Sequence, residues 1–175
     1  YVDITRQPSS NNYLSDLKVE DSNKNNYISV FNKTTMTYNI TVDNSVSSVD
    51  ITAVAEDSNT TIKGTGNKTL SVGNNSFTIE SISANGTTRN YIVNITRAKN
   101  SNTNLSSLSI DGQVLVPDFN KDTVSYSLSV DESVDEININ AQAEETTSKV
   151  TGTGKHQLRT GMNTFNIDVE AENGD

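Results

Sequence analysis

The chain has 175 residues, no cysteine and a formal net charge of −9. The missing thiols exclude a disulfide-stapled fold and a thiolate metal site, and the acidic balance disfavours nucleic acid and anionic membrane surfaces as partners. Hydrophobic residues make up only 32% of the chain, but their regular spacing favours a folded protein over a disordered one. We therefore expect no nucleic-acid partner and no membrane partner.

The first predicted element is a short strand-like segment, Val-Asp-Ile-Thr-Arg at residues 2–6. It returns as Val-Asn-Ile-Thr-Arg at residues 93–97, 91 positions later. We predict that residues 1–11 contain the last strand of a preceding repeat and a linker. Tyr1 opens inside this segment without a signal peptide, so we expect the chain to be part of a longer, processed protein.

Residues 12–98 are predicted to form the first complete repeat. Apolar and polar side chains alternate with a period of two, most clearly over residues 38–42 and 49–55, which is typical of half-buried strands. Gly64-Thr65-Gly66 predicts a turn, because no Lys-Ser/Thr pair and no helix follow it as a phosphate loop would require. About seven short strands of this kind are expected to close as a two-layer sandwich.

The alternation slips near the end of this repeat. Phe77 and Ile79 are apolar and two residues apart, but the next positions with this spacing are Ser81 and Ser83. The apolar residue Ile82 lies between them, one residue out of phase. We predict a β-bulge near Ser81 that would restore the burial of the apolar side chains.

A second repeat is predicted at residues 104–175, after a linker at residues 99–103. The register between the repeats is 91 residues at first and 88 later, so a three-residue gap lies between. Matching pairs include Leu14 with Leu105, Leu17 with Leu108, Tyr38 with Tyr126, residues 64–66 with 152–154, and Phe77 with Phe165. Nothing after Gly174 corresponds to residues 91–97, so we predict that the second repeat lacks its final strand.

These residues resemble the bacterial cadherin-like β-sandwich repeat. The matching motifs are LSSLSIDG at 105–112, TVSYSLSV at 123–130, INAQA at 139–143, GTG at 152–154, GMNTFNI at 161–167, AENG at 171–174 and, in the first repeat, YIVNITR at 91–97. The resemblance implies an all-β chain of two tandem immunoglobulin/cadherin-like antiparallel β-sandwiches.

The resemblance also implies a function. Such repeats serve as stalks, spacers and adhesive accessory domains in secreted or wall-anchored bacterial proteins. We expect a non-catalytic spacer of an extracellular, cell-surface or secreted bacterial protein that supports adhesion or the display of another domain. The alternative is an accessory module that binds carbohydrate or protein through the loops at one end of the sandwich.

The expected partners follow from this reading of the chain. They are the neighbouring domains of the same chain and, for the alternative, a glycan or a host protein. Residues 2–6 also suggest head-to-tail strand exchange, in which this segment would complete the second repeat of another molecule.

No catalytic, cofactor-binding or metal-binding residue is predicted. His156 is the only histidine, and it is expected to face water because it follows the 152–154 turn. Calcium is the one cofactor left open, and the better acidic candidates are Asp131-Glu132 and Asp135-Glu136, ahead of Glu56-Asp57 and Glu144-Glu145. Adjacent strand residues point to opposite faces, so neither Glu56-Asp57 nor Glu144-Glu145 forms a chelate by itself.

Two further sets of residues are read as structural. Tyr38 and Tyr126 share the phase of the apolar positions, so we expect them in the core with their hydroxyls bonded to backbone, instead of acting as sugar-stacking platforms. An isopeptide cross-link would need a buried lysine. Lys18, Lys63 and Lys149 are expected to be solvated.

Overall fold

The computed structural model describes residues 1–175 and divides the chain into unit 1, Tyr1–Lys99, and unit 2, Asn100–Asp175. Every regular element is a β-strand. The structure contains no helix that is long and apolar enough to cross a membrane. The all-β class expected from the alternating pattern is confirmed.

Unit 1 is a two-layer sandwich of seven strands, as predicted. They are β1 Leu14–Glu20, β2 Thr37–Val42, β3 Ser48–Ala55, β4 Thr61–Lys63, β5 Gly66–Thr69, β6 Gly73–Ile82 and β7 Thr88–Arg97. One sheet has the order β1-β3-β5 and the other the order β2-β7-β6-β4. Residues 1–13, which precede β1, form no strand.

The core of unit 1 is built from the inward-facing positions of both sheets. Thirteen buried apolar side chains form one cluster: Leu14, Leu17, Val19, Ile28, Ile40, Val42, Val49, Ile51, Leu70, Ile79, Tyr91, Val93 and Ile95. Along β2, β3 and β7 these side chains are spaced by two, which is the alternation seen in the sequence. In β1 a register shift between Leu14 and Asp16 places Leu14 and Leu17 three residues apart with both buried. Burial of this one face from each sheet is the main favourable contribution to the stability of the unit.

One strand pair departs from the purely antiparallel arrangement that we predicted. β7 pairs antiparallel with β6 but parallel with β2, in the register Thr37 with Ile92 through Val42 with Arg97. The last strand of the unit therefore lies inside its sheet, between β2 and β6, and not at an edge.

The predicted turn at Gly64-Thr65-Gly66 is confirmed and carries the chain from one layer to the other. β4, before the turn, pairs with β6, whereas β5, after it, pairs with β3. Gly64 has a φ of +88°, and a Cβ at this position would run into the backbone carbonyl of Thr78. Only glycine fits such a close approach between two strands.

The β-bulge predicted near Ser81 is wrong. The register of β6 with β7 continues without a break from Gly73 opposite Arg97 to Ile82 opposite Thr88. Ser81 and Ser83 keep the inward phase and are buried, at 0% and 4% exposure. The ten-residue antiparallel pairing with β7 holds the strand straight, so two small polar side chains occupy the inward positions.

Ser81 leads to a first prediction. Its Oγ is buried and has no hydrogen-bond partner, and an unsatisfied buried polar group is unfavourable. We expect Ser81→Ala to raise the free energy of unfolding of unit 1 by about 1 kcal/mol, measured by hydrogen exchange of β6 and β7. The matched control is Ser83→Ala, which removes a hydroxyl bonded to Thr87 and Asn85 and should lower stability. Equal effects of the two substitutions on stability would contradict the view that the Ser81 hydroxyl has no hydrogen-bond partner.

The connection that follows β1 is held by a buried carboxylate. Asp21 is 7% exposed. It accepts hydrogen bonds from Asn23 N at 2.8 Å, from Asn25 Nδ2 at 2.8 Å and from the Tyr27 hydroxyl at 3.0 Å. These donors, the Asn25 side chain foremost, hold the pKa of Asp21 below its usual value.

The lowered pKa of Asp21 predicts a pH dependence. Its stabilising contribution is fully present above the unfolded-state pKa of about 3.9 and is lost as the pH falls through the lower folded-state pKa. We expect Asp21→Asn to lower the urea midpoint of unit 1 at pH 7. The difference in urea midpoint between this variant and the unsubstituted chain should disappear in strong acid. Asp3→Asn, the same charge change in the exposed N-terminal segment, should leave the midpoint unchanged. A gap that widens in acid would contradict the prediction.

Unit 2 repeats this plan with fewer strands. They are β8 Leu105–Ile110, β9 Glu136–Ala143, β10 Lys149–Thr151, β11 Gly154–Gln157 and β12 Asp168–Glu170. One sheet has the order β11-β9-β8, and the other contains only β10 and β12. Residues 125–130 and 161–167, the counterparts of β2 and of the first part of β6, form no strand. The buried apolar side chains of unit 2 are Leu115, Ile137, Ile139 and Ala171, and none of them is fully buried.

Candidate functional site

The acidic pairs considered for calcium lie on the surface and bond to their own surroundings. Glu56 contacts Lys33, Glu144 accepts from Asn102, and Asp131 accepts from Ser133. No group of three or more histidine or acidic side chains lies together in an arrangement that could hold a metal ion. The structure thus does not bring the four acidic pairs together.

His156 lies half-buried in β11 instead of facing water. Its ring packs on Phe165 with the ring centroids 4.5 Å apart, and its Nε2 lies 2.9 Å from the carbonyl oxygen of Gly152. The turn at 152–154 ends sooner than we assumed, so His156 occupies an inward-phase position of the strand. Its counterpart Lys68 places its ammonium 5.9 Å from the centre of the Phe77 ring. Both residues cover the phenylalanine that follows them.

The predicted backbone contacts of the two tyrosine hydroxyls are confirmed, whereas the predicted core position is only partly met. The Tyr38 hydroxyl donates to the carbonyl oxygen of Asn32 at 2.9 Å, and the Tyr126 hydroxyl donates to that of Asn120 at 2.8 Å. Both rings are half-buried. The three lysines considered for a cross-link, Lys18, Lys63 and Lys149, are all exposed.

The sequence did not identify the residue that joins the two layers of unit 1, which is Tyr91. Its ring is fully buried, and its hydroxyl donates to the carbonyl oxygen of Lys33 at 2.9 Å and accepts from the N–H of Leu14 at 3.2 Å. One phenol therefore connects β7, the start of β1 and the connection between β1 and β2. Burial raises the pKa of this hydroxyl.

Charged side chains cover the end of unit 1 above Tyr91. The guanidinium of Arg89 stacks on Tyr13 at 3.8 Å from the ring centre, and Lys33 forms a 2.7 Å ion pair with Glu56. The hydrogen bond between them raises the pKa of Lys33 and lowers that of Glu56. These groups satisfy one another, so this end of unit 1 is closed.

Unit 2 is open at the corresponding place. A cleft there is lined by Leu105, Ser106, Phe119, Asn120, Lys121, Asp122 and Glu144. These include the counterparts of the groups around Tyr91, because Leu105 corresponds to Leu14, Phe119 to Phe31 and Lys121 to Lys33. Leu105 is half-buried where Leu14 is fully buried.

A second difference between the units lies at the Gly-x-Asn-x-Phe motif. In unit 1 the Asn75 amide donates to Ser71 O, Gly73 O and, on β7, Ile95 O. In unit 2 the Asn163 amide donates to the two equivalent turn carbonyls, Arg159 O and Gly161 O. The third contact, to the neighbouring strand, has no equivalent.

Comparison with protein families gives one result, a model described as the cadherin-like beta sandwich domain, which matches residues 14–98 and again residues 105–175. Comparison with curated proteins gave no match, and neither did comparison with solved structures. Domains of this family are typically non-enzymatic β-sandwiches. Together with the seven-stranded sandwich of unit 1 and its partial repetition in unit 2, the match shows that the chain belongs to the cadherin-like β-sandwich family, with two such domains in series.

Proposed function

We propose that the two domains form a load-bearing spacer in an extracellular bacterial protein, either secreted or attached to the cell surface, where they hold another domain away from its anchor. The observation that supports this most is the way in which the chain enters and leaves unit 1. A spacer carries tension between the points at which the chain enters and leaves each unit. The positions of these two points relative to the strands therefore determine how strongly the unit resists unfolding by force.

The chain enters unit 1 beside the start of β7, because the N–H of Leu14 bonds to the Tyr91 hydroxyl. It leaves from the other end of the same strand, at Arg97. At about 3.3 Å per residue, the six residues from Tyr91 to Arg97 separate the two attachments by about 20 Å along the strand. Tension on the chain therefore acts along β7.

This direction of pull loads β7 in shear. β7 lies between β2, with six paired residues, and β6, with ten. A pull along the strand must displace both sets of hydrogen bonds at once, whereas a pull across one end would break them one after another. The rate of forced unfolding is therefore expected to be low in the physiological direction.

The outer face of the same sheet suits a segment that should not associate with its neighbours. Polar side chains cross β6, β7 and β2 in a ladder: Thr96 Oγ1 to Asn74 Oδ1 at 2.9 Å, Ser76 Oγ to Asn94 Oδ1 at 2.8 Å, and Asn94 Nδ2 to Asn39 Oδ1 at 3.0 Å. These groups bond to each other, so they offer few free donors or acceptors to another molecule.

Single-molecule force spectroscopy tests the proposal. The chain has no native cysteine, so handles can be attached through Ser10→Cys and Lys99→Cys, which pull unit 1 in shear. The matched control moves the first handle to the exposed Ser45→Cys, beside the Arg97 end, so that β7 is peeled from one end. We expect a clearly higher unfolding force for the first pair. Equal forces, or a higher force for the second pair, would refute a load-bearing role.

A binding role would give a different result. The alternative accessory module would retain a glycan or a protein on the intact chain. We expect a glycan array probed with the 175-residue chain to show no signal above that of a chain carrying Gly64→Ala, probed at a temperature at which this substitution has unfolded unit 1. A glycan retained only by the unsubstituted chain would favour the alternative and count against a pure spacer.

A further inference from the structure

The five residues that lead into β1 form no strand, yet hydrogen bonds hold them to the body of unit 1. The N–H of Asn85 donates to the carbonyl oxygen of Ser9 at 3.0 Å. The side-chain amide of Asn11 donates to Glu56 Oε2 at 3.2 Å, and the N–H of Glu56 donates to the carbonyl oxygen of Tyr13 at 2.9 Å. Because its two ends and its middle are held, we call the segment from Ser9 to Tyr13 the strap of unit 1.

Unit 2 repeats all three contacts at the equivalent positions. The N–H of Asn173 donates to the carbonyl oxygen of Asn100 at 3.0 Å. The side-chain amide of Asn102 donates to Glu144 Oε2 at 2.9 Å, and the N–H of Glu144 donates to the carbonyl oxygen of Asn104 at 2.9 Å. We call the segment from Asn100 to Asn104 the strap of unit 2. The two straps share only their second and third residues, Ser-Asn, so the same attachment forms in two largely different sequences.

The asparagine in the middle of each strap makes most of the attachment. Besides the amide contact to the glutamate, Oδ1 of Asn11 and of Asn102 accepts from the backbone N–H two residues further along, at 3.0 Å and 2.8 Å. Their carbonyl oxygens accept from the hydroxyls of Thr60 and Ser148, both at 2.8 Å. The position needs a short side chain with both a donor and an acceptor. An aspartate there would have no donor and would bring a second negative charge to the glutamate.

The chain is held to one unit or the other almost without interruption between β7 and β8. The carbonyl oxygen of Ala98 accepts from the side-chain amide of Asn44 at 2.9 Å, which is a contact within unit 1. The N–H of Asn100 donates to Glu172 Oε2 at 3.1 Å, which is a contact within unit 2. Lys99 lies between them, is exposed and takes part in neither set of contacts.

We propose that each strap is a part of the domain it precedes, latched there by Glu56 or Glu144, and that Lys99 alone is free chain between the two domains while the latch of unit 2 is closed. Opening that latch adds the five strap residues to the free chain. At about 3.3 Å per residue this lengthens the chain by about 17 Å without unfolding a strand. The inference does not rest on the spacer role, because it concerns only how each strap is held.

Hydrogen exchange of single amides, followed by NMR on the 175-residue chain, tests the latch. We expect Glu144→Ala to speed exchange of the Asn104 amide about tenfold, because the strap loses its charge-assisted contact. The Tyr13 amide, in the other strap, should be unaffected, and the amides of β9 should stay protected. The matched control is Glu145→Ala, at the exposed neighbour whose side chain bonds to neither strap. Equal exchange of Asn104 in the two variants would overturn the proposal.

Trypsin provides a second measurement, because it cuts after lysine and needs several residues of free chain around the bond. With one free residue, the bond between Lys99 and Asn100 is expected to resist trypsin although Lys99 is exposed. Cleavage there follows the population of the open strap when opening is fast. It should therefore be about tenfold faster in Glu144→Ala than in Glu145→Ala, the factor expected from hydrogen exchange. Rapid cleavage after Lys99 in the unsubstituted chain, or equal rates in the two variants, would overturn the proposal.

Discussion

Gly64→Ala is expected to destabilise unit 1 by about 2–5 kcal/mol, from the sum of two effects. An alanine with a φ near +88° is strained by about 1–2 kcal/mol. Its Cβ would also meet the Thr78 carbonyl, and overpacking of this kind adds about 1–3 kcal/mol. The backbone of β6 has to move, because the obstacle is not a flexible side chain. Calorimetry of the chain should show the transition of unit 1 shifted to lower temperature.

The control for this substitution lies two residues away. Gly66 has a φ of +98°, but a Cβ there would meet no atom within 4 Å. Gly66→Ala therefore measures the backbone strain alone, about 1–2 kcal/mol, and the difference between the two variants measures the close approach to Thr78. If the two variants are equally stable, the approach of the two strands at Gly64 is not a constraint.

Tyr91→Ala is expected to be the most damaging substitution in the core of unit 1, with a loss of about 3–5 kcal/mol for a large buried aromatic ring. The ring is 0% exposed and packs against Phe31, with their centroids 6.1 Å apart. Its removal also leaves the Leu14 N–H and the Lys33 carbonyl without their partner. We expect hydrogen exchange in β7 and at the start of β1 to accelerate together.

Tyr91→Phe separates the hydroxyl from the ring. It keeps the packing and removes the two hydrogen bonds, at an expected cost of about 1–3 kcal/mol. The hydroxyl also predicts behaviour in alkali. Its pKa is raised in the folded state, so its contribution is complete below the unfolded-state pKa of about 10 and is lost as the pH rises through the folded-state value. The difference in the free energy of unfolding between the unsubstituted chain and Tyr91→Phe should therefore become smaller at high pH. A difference that does not change with pH would show that it does not come from the hydroxyl.

Much of the fold followed from local pattern. The period of two located the strands around residues 38–42 and 49–55, and the paired Gly-Thr-Gly motifs located the turns. The hydroxyl contacts of Tyr38 could be predicted because they reach backbone only six residues away. Features of this kind depend on near neighbours in the sequence, which periodicity and turn chemistry describe.

The features that were missed depend on distant partners. The parallel pairing of β2 with β7 joins residues about 55 positions apart, and alternation is the same in parallel and antiparallel strands with one solvated face. The straightness of β6 at Ser81 is imposed by β7, so the local slip in hydrophobic phase pointed to a bulge that does not form. The role of Tyr91 depends on Leu14 and Lys33, 77 and 58 positions away.

The interior position of β7 also determines the order in which such a domain is completed during synthesis. β2 emerges from the ribosome about 50 residues before the strand that pairs with it, and no other strand of its sheet contacts it. Until Arg97 has been made, β2 has no complete partner strand, and the core of the first domain is expected to stay half-open. Closure is therefore one late, long-range event, which is slow in β-sandwiches. While each nascent domain waits, a nearly identical strand from an adjacent domain competes for the vacancy.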